Sequence, residues 1–391
     1  MNYKEESIKL HRKMQGKIEM ISRVKIRNKD DLSIVYSPGV AEPSLEIFKD
    51  NKLSYLYTRK HNTVAVITDG SAVLGLGNIG AQASMPVMEG KAVLFKLLGD
   101  VDAIPLCLDT QDTNEIIKTI TILSKSFGGI NLEDISAPRC FEIENALKKS
   151  CDIPIFHDDQ HGTAIVVGAA LLNALKLAEK KITHVKIVIN GAGSAGTAIA
   201  NFLISIGAQH IIVCDKFGIL SKSDPTLSKA HRILSEKTNQ EQLTGKLGVA
   251  MKDADVFIGV SVAGCVSKDM ISSMNHKSIV FAMANPIPEI LPEDAYDAGA
   301  YIVGTGSSKY SNQINNVLAF PGIFRGALDA HAKEITYDMM KAASLAIANS
   351  IQQKDLRTDY IIPDPLDKQV HQSIAKAVHD SALITKVEKT H

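Results

Sequence analysis

Two groups of residues in this 391-residue chain have the types and spacing that do chemistry. The first is Gly191-Ala192-Gly193-Ser194-Ala195-Gly196, entered from the apolar, β-branched run 185–189. A helical period follows in Ala198, Ile199, Phe202, Leu203 and Ile206; Gly207 stops it, and a second strand-like run ends in Asp215. Strand, glycine turn, helix, strand and terminal acid in that order make a dinucleotide-binding βαβ unit. Gly191 permits the tight turn, Gly193 lets the backbone approach a pyrophosphate, and Gly196 allows close helix–strand packing. Ser194 and Ala195 open the helix, whose free N–H groups and positive dipole end face the phosphates. Asp215 can accept both hydroxyls of an adenosine ribose and repels a 2′-phosphate. Lys216 and Lys222 lie in the loop beyond it, so NAD is the expected cofactor and NADP a possible one.

The second group is acidic: Glu133 and Asp134 in NLEDIS, and Asp159 in IFHDDQHG. Adjacent residues on a strand point to opposite faces, so Glu133 and Asp134 share one ion only at a strand end. The pattern puts them there. An all-carboxylate set suits Mg²⁺ or Mn²⁺ rather than zinc. Asp158 and Asp159 also precede a helical run and fit as caps, so the residues alone leave cation and cap open. His157 and His161 have no cysteine partners and fit hydrogen-bonded structural roles better than ligation.

The elements that must position these groups alternate in type. Strand patterns cover 63–68, 103–108, 129–133 and 154–156, with helical patterns over 86–98, 114–126 and 137–149 between them. A strong helical period over 161–179 bridges to the glycine turn. Strand-like runs then recur at 255–260, 278–284 and 301–303, and helical patterns at 327–335 and 339–352. The fold class is therefore α/β with two domains, one of them a Rossmann dinucleotide-binding domain. A second G-x-G-x-x-G, Gly75 to Gly80, has its strand ending too early and no acid closing a following strand. Its glycines suit close passage of backbone past a substrate, or a domain interface.

Composition narrows the class. Lysine plus arginine and aspartate plus glutamate balance at 43 each, which removes the global field expected of a nucleic-acid binder. The five cysteines are scattered, without C-x-x-C, as in a reduced cytoplasmic protein. The N-terminus lacks a secretory apolar region, and the longest uninterrupted apolar run, 164–172, is too short to span a bilayer.

Taken together, YSPGVA (36–41), ITDGSAVLGLGNIG (67–80), MEGKAVLF (88–95), NLEDIS (131–136), IFHDDQHGTA (155–164), GAGSAG (191–196), FAMANP (281–286) and SNQINNVLAFPG (311–322) resemble the malic enzyme family in its small bacterial form. The resemblance spans nearly the whole chain. It implies oxidative decarboxylation of (S)-malate to pyruvate and CO₂ with NAD(P)⁺ and a divalent metal. By motif, Tyr36 is the expected general acid and Lys91 the general base, kept neutral by burial beside a dication. Glu133, Asp134 and Asp159 are the expected metal ligands, with Asn285 and Asn316 on substrate carboxylate or nicotinamide. It further implies a catalytic domain at 1–158, a Rossmann domain at 159–311, C-terminal helices at 312–391 returning to the catalytic domain, and a homodimer. The arginine that larger members carry in the DG-x-R-x-LGLG stretch is Ala72 here, leaving Arg23 and Arg59 as candidates for the second carboxylate. A malolactic-type lyase forming lactate is the nearest rival, against which the short chain speaks. A non-catalytic dinucleotide sensor is the other.

Overall fold

The computed structural model describes residues 2–73 and 75–385. Among them ten strands form two sheets. The first sheet contains β1 (Thr63–Thr68), β2 (Asp102–Cys107), β3 (Gly129–Leu132) and β4 (Ile155–His157), parallel throughout in the order β2-β1-β3-β4. Every residue of β1 is buried, as expected of a parallel strand covered on both faces. Its alternation divides two cores. Val64 and Val66 join Phe95, Phe320 and Phe324 on one side, while Ala65 and Ile67 join Ile116, Ile120 and Ile143 on the other.

The second sheet holds β5 (Lys186–Asn190), β6 (His210–Asp215), β7 (Gly218–Ile219), β8 (Val256–Gly259), β9 (Ile279–Ala282) and β10 (Ile302–Thr305). Its order is β10-β9-β8-β5-β6-β7, with only β7 antiparallel. Counted from β5, this is the doubly wound dinucleotide-binding order with a two-residue hairpin strand in third place. The switch point lies between β5 and β8.

The Asp158–Ala178 helix belongs to the core that joins both sheets. It is long and apolar enough to cross a membrane by length and composition, but 72% of its most apolar window is buried, as in a core helix. Two helices begin earlier than the sequence predicts. The one expected at 86–98 runs over Gly80–Gly99 with Pro86 inside it. The one expected at 327–335 is instead Phe320–Asp329, where Phe320, Ile323, Phe324 and Ala327 form the buried stripe. Pro321 and Gly322 look like a break in sequence, yet proline is favourable in a helix's first turn.

The N-terminal segment packs differently. None of the Tyr3–Met14, Lys29–Val35, Ala41–Lys49 and Ser54–Tyr57 helices contains a buried residue. Met20, Ile21, Ile34 and Phe48 are 95%, 77%, 72% and 85% exposed.

Candidate active site

The C-terminal edge of the first sheet gathers the acidic group. Glu133 and Asp134 follow β3, and Asp158 and Asp159 open the helix after β4. Asp134 has φ 54°, a left-handed backbone that breaks strand alternation and lets two neighbouring acids serve one place. Oxygen atoms of Glu133, Asp134 and Asp159 lie within 4.8 Å of one another. The Asp134 amide donates to Asp159 Oδ2 at 2.8 Å, tying the two strand ends.

Lys91, on the Gly80–Gly99 helix, enters this cluster from the side. Its Nζ donates to Glu133 Oε1 at 2.9 Å and to Asp158 Oδ2, and stands 4.0 Å from the centroid of the Phe320 ring. Asn316 Nδ2 donates to the same Asp158 oxygen at 2.6 Å, and Asn131 Nδ2 donates to Glu133 Oε2 at 2.9 Å. Burial pulls the Lys91 ammonium down, but Asp158 and Glu133 override it and hold the group above the ordinary lysine range. The expected neutral base requires positive charge beside these acids as well as burial, since the two carboxylates outweigh burial. Burial pushes Glu133, Asp158 and Asp159 upward, and among the described residues the buried Lys91 ammonium offsets their charge. A hard-oxygen cluster with surplus negative charge, buried at Glu133 and Asp134 and part-exposed at Asp159, fits a divalent cation.

Asp158 is the site residue that sequence reasoning passed over as a cap. It is fully buried, and it holds both Lys91 and Asn316. A Cβ on Gly162 would lie 1.9 Å from Asp158 Oδ1, so the glycine one helical turn on is the signal that Asp158 turns back along its helix. His161 and Lys148 meet Glu144 at 2.7 and 2.9 Å, which makes His161 structural, as its context suggested.

His157 is fully buried, and burial lowers its imidazole to about 4 from 6.5. The folded chain refuses a proton that the unfolded chain accepts. Stability is therefore expected to fall as pH drops from about 6.5 toward about 4. Thermal melts of wild type and His157→Asn across this window check it, the variant losing that part of the slope.

Tyr36 lies outside the hydrogen-bonded cluster, at the end of the Lys29–Val35 helix, and is 70% exposed. Arg59 is engaged elsewhere: its Nε donates to Asp102 at 2.8 Å, and its guanidinium closes on the same oxygen. Arg23 lies on the exposed N-terminal segment.

At the second sheet the glycine turn has the geometry its spacing predicts. Gly191 has φ 123°, and a Cβ there would come within 2.5 Å of Val260 O. One on Gly196 would lie 1.7 Å from Gly191 O, whereas Gly193 faces open space. That leaves a cradle at the N-terminus of the Ser194–Ser205 helix that only a side chain at Gly193 would fill, where Ser194 and Ala195 supply amides. Asp215 ends β6, and its Oδ1 accepts from the amides of Phe217 and Gly218 at 2.7 and 3.1 Å. Its Oδ2 lies 3.8 Å from His231 Nδ1. Lys216 Nζ rests 4.9 Å from the Phe217 ring centroid. Asn285 follows β9, and a Cβ on Gly75 would meet Pro286 Cδ at 3.6 Å and Asn285 O at 3.8 Å. The second glycine motif thus packs where the two sheets' loops face each other.

Comparison with known proteins agrees along the chain. Residues 15–148 match the malic enzyme N-terminal domain, and residues 160–383 match the malic enzyme NAD-binding domain. A bifunctional malic/malolactic enzyme of Bacillus subtilis is 53% identical over 100% of this chain and 95% of its own length. An NAD-dependent malic enzyme of Geobacillus stearothermophilus is 50% identical over 96% of this chain and 78% of its own. Other relatives carry NADP-dependent malic enzyme as their name. The crystal structure of the NAD-dependent malic enzyme from Thermotoga maritima superposes with a TM-score of 0.92 at 47% identity, covering 95% of this chain and 98% of that one. Carrying both domains of that family in order, the chain belongs to the malic enzymes, oxidoreductases that use NAD or NADP.

Proposed function

We propose that this protein converts (S)-malate to pyruvate and CO₂ while reducing a nicotinamide dinucleotide, with a divalent cation held by Glu133, Asp134 and Asp159. The observation that carries the reading is the buried Lys91 shared between Glu133 and Asp158 beside these oxygens. A buried ammonium between acids has no need of a neighbouring third acid unless further positive charge arrives. When bound, Mg²⁺ or Mn²⁺ supplies Lewis-acid charge at malate's C2 oxygen and C1 carboxylate.

The chain's own groups do the rest. Lys91 takes the C2 hydroxyl proton once the surrounding negative charge is offset, and Asp158 and Asn316 fix where its amine stands. Asn285 and Asn316 orient substrate carboxylate and nicotinamide so that the C2 hydride meets the ring. The resulting ketone accepts the electrons released when the C4 carboxylate leaves, and Tyr36 delivers the proton that C3 then needs. Malate turnover with Mn²⁺ and each dinucleotide tests this reading; reduction of neither dinucleotide contradicts it.

An exposed Tyr36 suits this role only if something brings it to a site. Four helices without a fully buried residue, with Met20, Ile34 and Phe48 in the open, need a covering surface. We therefore read the protein as a homodimer whose N-terminal segments cross, each presenting Tyr36 to the other protomer's cluster. Residues 1–158 serve as the catalytic domain and 159–311 as the dinucleotide domain. The stretch from 312 to 385 returns to the catalytic side, a division supported by Phe320 and Phe324 packing on Phe95 at 4.7 and 5.3 Å, and residues 386–391 lie outside the described residues. Unbridged cysteines suit a cytoplasmic location.

A lactate-forming side reaction has a specific basis. The Bacillus subtilis relative named malic/malolactic is nearly matched in length, so a short chain does not speak against lactate.

For the cofactor, Asp215 favours NAD⁺, since its Oδ2 is free of the turn that Oδ1 caps. Lys216, laid on Phe217, is drawn away from a 2′-phosphate. Asp215→Ser is expected to move the kcat/KM ratio toward NADP⁺ by roughly tenfold, the effect of one close charge. A wild type that strongly prefers NADP⁺, or a mutant with no shift, contradicts this assignment.

A further inference from the structure

Glu289 is a charged side chain that no step above uses. It is fully buried, and its Oε1 accepts from the Ser261 amide while Oε2 accepts from the Ala284 amide, each at 2.9 Å. Ser261 lies just beyond β8 and Ala284 just beyond β9, the residue before Asn285. Ser261 Oγ in turn accepts from Asn190 Nδ2 at 2.8 Å, at the end of β5 where the glycine turn begins. One carboxylate therefore links the ends of β8 and β9 directly and that of β5 through Ser261, across the switch point. A Cβ on Gly259 would lie 2.4 Å from Glu289 Cδ, so the acid is seated against bare backbone.

The partners define its charge. Two amide donors, one on each oxygen, suit a carboxylate, since a protonated carboxyl would turn its O–H onto an N–H. Burial pushes the group above the ordinary carboxylate range, these amides offset part of that, and among the described residues no cation offsets the rest. With pyrophosphate on the β5 glycine turn and adenosine ribose at the end of β6, the nicotinamide half extends the other way, over β8 and β9. An oxidised nicotinamide ring is cationic; a reduced one is neutral.

We propose that Glu289 is a positioning residue for the nicotinamide: it locks the loops after β8 and β9 together beneath the ring, and its uncompensated negative charge favours the oxidised over the reduced cofactor. This rests on the dinucleotide reading of the second sheet.

The test is fluorescence titration of NADH, with competitive displacement by NAD⁺, in wild type and Glu289→Gln holding the same thermal stability. The NADP pair is substituted if wild type prefers it. Glutamine removes the charge and turns its NH2 toward one of the two backbone donors, so both affinities fall, with NAD⁺ expected to weaken by roughly tenfold more than NADH. A merely structural role lowers both affinities equally; that outcome, or no change in either, overturns the proposal. Should the glutamine variant not fold, Glu289→Asp keeps the charge but retracts it by one methylene. Moving the charge should then weaken NAD⁺ several-fold more than NADH, and equal loss of both, or wild-type affinities for both, overturns the proposal. Failure of wild type to bind either cofactor would instead defeat the dinucleotide reading itself.

Discussion

Lys91→Ala is expected to slow malate oxidation by ~10²–10⁴-fold, the range for loss of one proton-transfer group. The lysine is buried, shares its ammonium between Glu133 and Asp158, and has no second lysine beside it in the cluster among the described residues. Tyr36→Phe should also slow malate turnover. It should damage oxaloacetate reduction less, because that reaction moves hydride without protonating an enol. Equal loss in both assays argues against Tyr36 as the enol's proton donor. The pair also tests the crossed dimer. In a mixed dimer of Lys91→Ala and Tyr36→Phe protomers, one site receives both substitutions and the other receives neither. Random mixing should then restore about a quarter of wild-type activity, since half the dimers are mixed and each has one intact site. If Tyr36 serves its own protomer, every site stays defective and no activity returns.

Chelation is the second large effect. Removal of divalent metal should abolish turnover, and Mn²⁺ or Mg²⁺ should restore it. Asp159→Asn separates the ligand from the fold, because an asparagine carbonyl can still accept from the Asp134 amide that now donates to Asp159 Oδ2. The variant's Mn²⁺ requirement should rise by at least the ~10–100-fold that loss of an outer-shell partner costs. Dinucleotide affinity, set on the separate glycine turn, should hold. Full activity in excess chelator, or equal loss of metal and dinucleotide binding, contradicts the three-acid assignment.

How legible these features were depends on the range of the interactions. The glycine turn is local: Gly191 and Gly196 meet backbone of the adjoining strand end and of the turn itself, and Gly193 leaves the cradle open, so spacing alone exposes them. The strands read well for the same reason, since burial on both faces writes continuous apolar runs such as 63–68. The metal-type cluster was legible as residue types, but its geometry depends on the left-handed turn at Asp134, which no hydropathy pattern records. Asp158 was hidden because its partners, Lys91 and Asn316, lie far away in sequence. The surroundings of Lys91 are hidden for a related reason: burial can be read from sequence, whereas the two carboxylates that outweigh it appear only after folding. Arg59 shows the converse, a cation near the right motif that Asp102 already holds.

The central claim is that one malate yields one pyruvate, one CO₂ and one reduced dinucleotide at this cluster. Carbon-labelled malate, incubated with the purified protein, Mn²⁺ and excess NAD⁺ or NADP⁺, measures all three together with lactate. Equimolar pyruvate, CO₂ and reduced dinucleotide are expected, all lost on chelation. Lactate as the main product without net reduction, or turnover indifferent to chelator, would contradict it.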